Sequence, residues 1–212
     1  MVVDRKVAGQ EGTFSADSLV LGVTGHRADL LSTEDLPILR CTVRKILRAF
    51  AESALEPHTL VSSLAEGADQ LVAEEALSAG YRLICPLPFP RALYERDFVR
   101  EESLLTFRRL LDQAIEVTEL PGERATPQAD QTAYENAGAQ MLDRVDVLLA
   151  IWNGGAARGA GGTAEIIASA ERRGVPVVWI HASSPHSVRV LASNGNQKAA
   201  MESLLAAAIS DC

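Results

Sequence analysis

The chain has 212 residues and a formal net charge of −8, with 47% hydrophobic and 23% charged residues. This length suits one ordinary domain, and the composition is typical of a folded globular protein rather than a disordered one. The acidic balance argues against binding to an extended nucleic acid, which calls for a basic face. Cys41, Cys85 and Cys212 are widely separated and form no CxxC pair, which argues against a disulfide framework and a zinc site.

No apolar stretch reaches 18 residues, so the sequence predicts no membrane-spanning helix. Residues 1–17 carry three acidic side chains and lack the apolar centre of a signal peptide. We therefore expect a cytoplasmic protein with a flexible segment at residues 1–17 and a single Rossmann-like domain at residues 18–212.

Short apolar runs alternate with helical patterns along the chain. The predicted strands occupy residues 19–24, 59–64, 81–87, 114–118, 145–152 and 176–180. Helices are predicted at residues 34–55, 66–79, 93–111, 133–144 and 198–209, and one further helix is predicted to end at Arg173. Residues 119–130 are predicted to form a loop. Strands that are apolar on both faces and alternate with helices indicate a mostly parallel sheet covered on both sides. The expected fold is an α/β, Rossmann-like three-layer sandwich.

The first predicted strand runs into the segment GVTGHR at residues 22–27. Ligands of such sheets bind beyond the carboxyl ends of the strands. Gly25 lets the backbone turn sharply, and the Thr24 hydroxyl is a further polar group. His26 and Arg27 carry donors that suit a phosphate or a carboxylate. These four residues are candidate ligand contacts, although a tight turn with Arg27 in a surface ion pair also explains the pattern.

The second segment is SSLAEGADQ, at residues 62–70. Small residues open the helix that follows, and free N–H groups at a helix N-terminus favour an anion. Asp69 lies in the first turn, where the helix dipole stabilises a carboxylate, and it can also hold a ligand hydroxyl. The candidate ligand-binding residues here are Ser62, Ser63, Glu66, Gly67 and Asp69. Simple capping of the helix by either serine is the alternative.

The third segment is WNGGAARGAGGTAE, at residues 152–165, with five glycines in nine positions. Gly161, Gly162 and Thr163 place bare N–H groups and a hydroxyl at a helix N-terminus, which is a phosphate cradle. Glu165 follows within reach of a ribose or a base. The candidate residues of this segment are Asn153, Arg158, Gly161, Gly162, Thr163 and Glu165. A floppy surface loop is the alternative interpretation.

The exit of the third predicted strand, LPFP at residues 87–90, is stiffened by its prolines. Pro88 and Phe89 are candidate ligand contacts there, with Phe89 stacking on a base. The histidines show no metal-ligand spacing, and no metal site is predicted.

Together these motifs resemble those of the SLOG superfamily of Rossmann-like proteins. Residues 62–69, followed by Ala76, Leu77 and Gly80, resemble the S-G-x-A-x-G-x-D … A-L-x-x-G signature of the DNA-processing protein A group. Residues 161–165, followed by Ala170, Gly174, Pro176 and Val177, are similar to the G-G-x-G-T-x-x-E … A … G-x-P-V signature of the lonely-guy, or lysine-decarboxylase-like, group. The resemblance covers residues 19–181. Residues 25–27 and 152–154 are similar to an uncharacterised bacterial branch whose members are commonly proposed to sense nucleotide-derived ligands.

The leading function implied by this resemblance is binding or sensing of a nucleotide or nucleotide-derived small molecule at the carboxyl edge of the sheet. No cofactor is required, and Mg²⁺ would enter only with a polyphosphate ligand. Relatives commonly form dimers, so the resemblance implies a homodimer. Neither a nucleic acid nor a membrane is expected as a partner.

Two alternatives come from the same relatives. The first is a phosphoribohydrolase-like N-glycosidic hydrolase or transferase that uses Glu165 as the catalytic carboxylate. In the lonely-guy group the glutamate stands three residues after the motif threonine, whereas this chain has Ile166 there and Glu165 only two after Thr163. The second is single-stranded DNA binding as in the DNA-processing protein A group, which calls for a basic groove and stacking aromatics.

Overall fold

The computed structural model describes residues 18–52, 58–155, 162–183, 186–192 and 194–209. Within these ranges one sheet holds seven strands in the spatial order β4-β3-β2-β1-β5-β6-β7. The strands are β1 Val20–Gly25, β2 Thr59–Val61, β3 Arg82–Leu87, β4 Glu116–Glu119, β5 Val147–Trp152, β6 Val177–His181 and β7 Val188–Leu191. Neighbouring strands pair in parallel from β4 to β6, and β7 pairs antiparallel with β6.

Helices cover both faces of this sheet. They are α1 Leu36–Ala51, α2 Ala68–Ser78, α3 Arg91–Tyr94, α4 Glu101–Leu111, α5 Pro127–Leu142, α6 Thr163–Arg173 and α7 Gly195–Ile209. One hydrophobic cluster joins the sheet to α1, α2, α4 and α7, and a second joins it to α5 and α6. The predicted Rossmann-like three-layer sandwich is confirmed. Among the described helices, none combines the length and apolar character needed to cross a membrane.

Strand β5 shows why the buried strands read as continuous apolar runs. Val147, Leu149 and Ile151 enter the first cluster, whereas Leu148 and Ala150 enter the second. Because both faces of the strand are covered by helices, the alternation of polar and apolar residues that marks a half-exposed strand is absent from β5. The strand therefore anchors the middle of the sheet from both sides.

The order of the strands creates a switch point between β1 and β5. The chain runs from β1 outward to β4 on one side, then returns to form β5 on the other side of β1. The helices that follow these two central strands consequently lie on opposite faces of the sheet. A crevice opens between the two strand ends, and this is the position at which open α/β sheets bind ligands.

The single helix predicted over residues 93–111 is wrong. The structure has α3, a 3-10 turn at Glu95–Asp97 and then α4, with extended backbone at Phe98 and Arg100. The Phe98 ring lies 4.6 Å from the Phe107 ring and 5.5 Å from the Tyr94 ring, centroid to centroid. Packing of this aromatic cluster replaces the continuous helix that the apolar spacing suggested.

Two other boundaries also differ from the prediction. Helix α5 begins at Pro127 rather than at residue 133, because Thr126 caps it by accepting a hydrogen bond from the Ala129 amide at 3.1 Å. The predicted loop at residues 119–130 therefore shrinks to residues 120–126. Strand β7 lies in a stretch that the sequence left irregular.

The start of α2 is held unusually close to the loop after β1. Gly67 has a φ of +107°, and a Cβ at this position would lie 2.5 Å from the carbonyl oxygen of His26. The next residue, Ala68, donates its amide to that same oxygen at 3.0 Å. A Cβ on Gly25 would in turn lie 2.5 Å from the Cβ of Ala68. Both glycines are thus required by backbone packing.

This contact gives a matched pair of substitutions, Gly67→Ala and Gly80→Ala. Both glycines have positive φ, but a Cβ added at Gly80 would meet no atom within 4 Å, so only the backbone conformation penalises alanine there. We expect Gly80→Ala to lower the free energy of unfolding by about 1 kcal/mol, and Gly67→Ala to lower it by at least about 2 kcal/mol more. Urea unfolding of both variants measures the difference; equal losses would contradict the packing argument.

Candidate functional site

A cavity of about 670 Å³ opens at the carboxyl ends of β1 and β5, at the switch point. The sequence-predicted residues that line it are Thr24, Gly25, His26, Arg27, Ser63, Asp69, Asn153, Gly162 and Thr163. The loop after β1, the start of α2, the turn after β5 and the start of α6 therefore meet around one space. The sequence missed Tyr94 of α3 and both Gly138 and Met141 of α5, which also line it.

His26 ties the two diverging strand ends together. Its amide donates to the carbonyl of Ile151 at 2.9 Å, and its ring atom Nε2 accepts from the amide of Asn153 at 3.1 Å. The Asn153 side chain in turn accepts from the amide of Gly155 at 3.0 Å and fixes the turn after β5. Because Nε2 accepts this hydrogen bond, it is the ring nitrogen without a proton. The contacts of His26 fix the ends of β1 and β5 relative to each other beside the cavity.

Arg27 places a positive charge in the cavity wall. Within the described part of the chain its guanidinium forms no ion pair, unlike Arg124 or Arg100. Burial among cavity atoms opposes the charge, but neighbouring Tyr94, Tyr134 and Asp97 outweigh it and raise the pKa of Arg27. Arg27 lines the cavity and is also exposed to solvent. Arg27 is a cation available to an anion that enters the cavity.

Asp69 is a buried carboxyl group in the same wall, with a relative exposure of 7%. The Ser62 hydroxyl donates to it at 3.2 Å and accepts from the Leu64 amide at 2.9 Å. Leu64 has a φ of +58°, a strained conformation for leucine. Burial raises the pKa of Asp69 to about 7, although the Ser62 hydroxyl, the Ala65 amide and the charge of Arg27 all lower it. Such a perturbed group in a cleft is a mark of a functional site.

A polar cluster around Asp97 supports the opposite wall. Tyr134 and Arg124 both donate to the Asp97 carboxylate, and Arg124 also pairs with Asp130 at 3.1 Å. The Arg124 guanidinium lies 4.0 Å from the centre of the Phe89 ring. These contacts position the Tyr134 ring, which lines the cavity.

Several predicted contact residues lie away from the main cavity. Phe89 is fully buried beneath Arg124 and Tyr134, so its ring has no free face for a base. Pro88 lines a separate cavity of about 390 Å³ beside the loop at residues 120–126. Glu66 forms an ion pair with Arg100 at 2.6 Å.

The remaining predicted residues have three different placements. Ser62 stands behind Asp69 and orients its carboxylate. Gly67 packs against the backbone of the loop after β1. Arg158 and Gly161 fall outside the described residues.

Glu165, the predicted catalytic carboxylate, does not line the cavity, whereas the next residue, Ile166, does. One residue along a helix rotates a side chain by about 100°. The position that carries glutamate in the lonely-guy signature therefore faces the cavity, and in this chain that position is apolar. Glu165 itself is not among the described residues that line this cavity. Among the described residues, no group of three or more His, Cys, Asp or Glu side chains suits a metal ion.

Fold and cavity together define a Rossmann-like α/β protein with a ligand-sized cavity at its switch point. No protein-family model and no curated protein matches the chain. Among solved structures, DNA processing protein A (DprA) of Streptococcus pneumoniae matches with a TM-score of 0.52 and 16% identity, over 89% of this chain and 56% of that one. This chain thus spans little more than half the length of the pneumococcal protein.

Two further structures are similar at lower scores. DNA processing protein A of Helicobacter pylori, described for its single-stranded DNA binding, matches at TM-score 0.48 and 15% identity over 80% of this chain and 68% of that one. The Moco carrier protein of Chlamydomonas reinhardtii matches at TM-score 0.43 and 18% identity over 90% of this chain and 86% of that one. The pneumococcal match establishes the Rossmann-like fold that the SLOG resemblance implied.

The raised pKa of Asp69 predicts a pH-dependent penalty on folding. The native carboxyl keeps its proton up to about pH 7, whereas the unfolded one loses it near pH 4. The contribution of Asp69 to the free energy of unfolding is therefore fully present below pH 4 and is lost as the pH rises through 7. Between pH 5 and 8 the loss is about 2 to 3 kcal/mol at most. Asp69→Asn has no carboxyl group to ionise, so it avoids this loss. The free energy of unfolding of Asp69→Asn minus that of the wild type should therefore rise between pH 5 and pH 8.

Urea unfolding at both pH values measures this change. Asp112→Asn, which removes an exposed carboxylate at the end of α4, is the control. A wild-type-to-Asp69→Asn difference that is the same at pH 5 and pH 8 would show that Asp69 has an ordinary pKa.

Proposed function

We propose that this chain binds a nucleotide or nucleotide-derived small molecule in the switch-point cavity. The observation that carries the proposal is Arg27, whose guanidinium lines a cavity of about 670 Å³ without an ion pair among the described residues. An arginine in a concave site that forms no direct ion pair among the described residues is suited to a phosphate, which its planar fork binds with two hydrogen bonds.

The N-terminus of α6 adds a second anion-binding feature. Gly162, Thr163 and Ala164 line the cavity at this end of the helix. The first amides of a helix have no partner within the helix, and the helix dipole favours negative charge beside them. Because the chain as a whole carries a net charge of −8, attraction of an anion must come from such a local arrangement rather than from the overall field.

The remaining walls suit a base and a sugar. The cavity volume falls in the range of about 300 to 1,000 Å³ that is usual for small-molecule sites. Met141, Trp152 and Ile166 supply apolar surface, and Tyr134 supplies an aromatic ring. Asp69 and Ser63 supply polar groups. This combination of apolar walls and few polar groups fits a nucleotide better than a bare inorganic anion.

The two alternative functions have less support. N-glycosidic cleavage needs a carboxylate near the anomeric carbon, and Glu165 does not line the cavity. Single-stranded DNA binding, named for the Helicobacter pylori protein, rests for this chain on a likeness of fold. Fold alone does not imply function.

The test is a thermal-shift screen with nucleoside mono-, di- and triphosphates, cyclic nucleotides and ADP-ribose derivatives, followed by calorimetry on each stabilising ligand. Arg27→Gln should weaken binding of phosphorylated ligands about tenfold or more, since it removes a charged hydrogen-bond donor. Arg48→Gln is the matched control, because Arg48 is an exposed arginine of α1 that does not line the cavity. This variant should bind within about twofold of the wild type.

Trp152 offers an independent readout of where the ligand binds. The chain has two tryptophans, and their rings lie 5.7 Å apart. In a Trp179→Phe variant the remaining Trp152 lines the cavity, so its fluorescence should change on binding.

Three outcomes would contradict the proposal. The first is equal affinity of Arg27→Gln and the wild type. The second is binding of a single-stranded oligonucleotide with no response to mononucleotides. The third is chromatographic recovery of a free base, lost in Glu165→Gln, which would favour the enzyme.

A further inference from the structure

Tyr94 has a nearly buried side chain whose hydroxyl accepts or donates no hydrogen bond among the described residues. The residue is 1% exposed and lines the cavity, and within the described chain no hydrogen bond reaches its hydroxyl. The other tyrosines differ: Tyr81 donates to the carbonyl of Leu47 at 2.7 Å, and Tyr134 donates to Asp97. Because Tyr94 lines the cavity and its hydroxyl bonds no described residue, this hydroxyl can bond a molecule that enters the cavity.

Asp69 lines the same cavity as Tyr94. The two groups interact electrostatically, since Asp69, after burial, is the next cause that raises the pKa of Tyr94. Tyr94 therefore stays a neutral hydroxyl that can donate or accept. We name these two residues the Asp69–Tyr94 pair. They are the lining residues whose polar side chains are most deeply buried, at 7% and 1% exposure.

The chemistry of the pair differs from that of the anion-binding features. A carboxyl group repels phosphate when charged, but it bonds a hydroxyl in either protonation state. A phosphate is therefore directed to Arg27 and the N-terminus of α6, and a group rich in hydroxyls to the pair. A ribose carries two vicinal hydroxyls, one for each member of the pair.

From this arrangement we propose that the Asp69–Tyr94 pair recognises the vicinal hydroxyls of a ribose, so that the site prefers ribonucleotides to 2′-deoxyribonucleotides. The inference rests on the proposed nucleotide-binding function and specifies its ligand class. A site built to bond a hydroxyl discriminates strongly against the analogue that lacks it, because a buried polar group is then left without a partner.

The experiment measures by calorimetry the affinities of AMP, GMP, CMP and UMP and of their 2′-deoxy counterparts. The wild type should prefer the ribonucleotide about 10- to 100-fold for each base that binds. Asp69→Asn and Tyr94→Phe should each reduce this preference to about threefold or less, chiefly by weakening the ribonucleotide. Binding of the deoxy form should change little.

Tyr81→Phe is the matched control for loss of a buried tyrosine hydroxyl. It removes a hydrogen bond within the protein, so its melting temperature should fall while its ribose preference stays intact. Tyr94→Phe removes a hydroxyl without a described protein partner, so its melting temperature should equal or exceed that of the wild type. If misfolding caused the loss of ribose preference, the less stable Tyr81→Phe would lose it more than Tyr94→Phe. The opposite result shows that the loss comes from the hydroxyl of Tyr94.

The outcomes separate this inference from the proposed function. Equal binding of ribo and deoxy forms by the wild type, with Arg27→Gln still weakening both, overturns the ribose inference and leaves nucleotide binding intact. A wild-type preference that survives in both Asp69→Asn and Tyr94→Phe overturns the assignment to this pair. No binding of any nucleotide contradicts the proposed function and the inference together.

Discussion

The distance between two backbones governs the site, because the first residues of α2 lie against the loop that follows β1. Gly67 permits a contact that any side chain would block, and Ala68 closes it with a hydrogen bond to His26. His26 then reaches across the switch point to Asn153. Three segments far apart in sequence are thereby fixed relative to one another, and each brings one chemical group to the cavity. A shift at Gly67 would move Asp69 relative to Arg27, which connects a packing constraint to the chemistry.

Holding a carboxyl group and a guanidinium in one cavity without pairing them has an energetic consequence. A direct ion pair would satisfy both groups internally, and a ligand would then have to break it. Here Asp69 is hydrogen-bonded by Ser62, and Arg27 is stabilised by neighbouring tyrosines and Asp97. Each group therefore keeps bonding capacity for a ligand, at the cost of a strained Leu64 and a buried acid. Sites that bind ligands commonly retain such costs.

The sequence predicted the sheet and nine of the residues that line the cavity, because both depend on local pattern. Buried parallel strands read as apolar runs, and their carboxyl ends must meet at one edge, so Arg27, Asp69 and Thr163 were found from strand ends alone. Tyr94 was missed because it reaches the cavity only where the helical pattern breaks, and aromatic packing with Phe98 sets that break. Such packing depends on residues distant in sequence, which periodicity does not register.

The buried carboxyl group of Asp69 bears on which ligands the cavity accepts more than on how tightly it binds them. A cavity that held only Arg27 and the start of α6 would accept any small anion, including the abundant inorganic ones. Once Asp69 ionises, above about pH 7, its buried carboxylate penalises an anion that fills the cavity without offering a hydroxyl, since charge would then face charge at low dielectric. A ligand that carries its phosphate at one end and hydroxyls at the other avoids this penalty. The proposed ribonucleotide ligand carries both kinds of group, and Arg27, Asp69 and Tyr94 all line the cavity that would hold it.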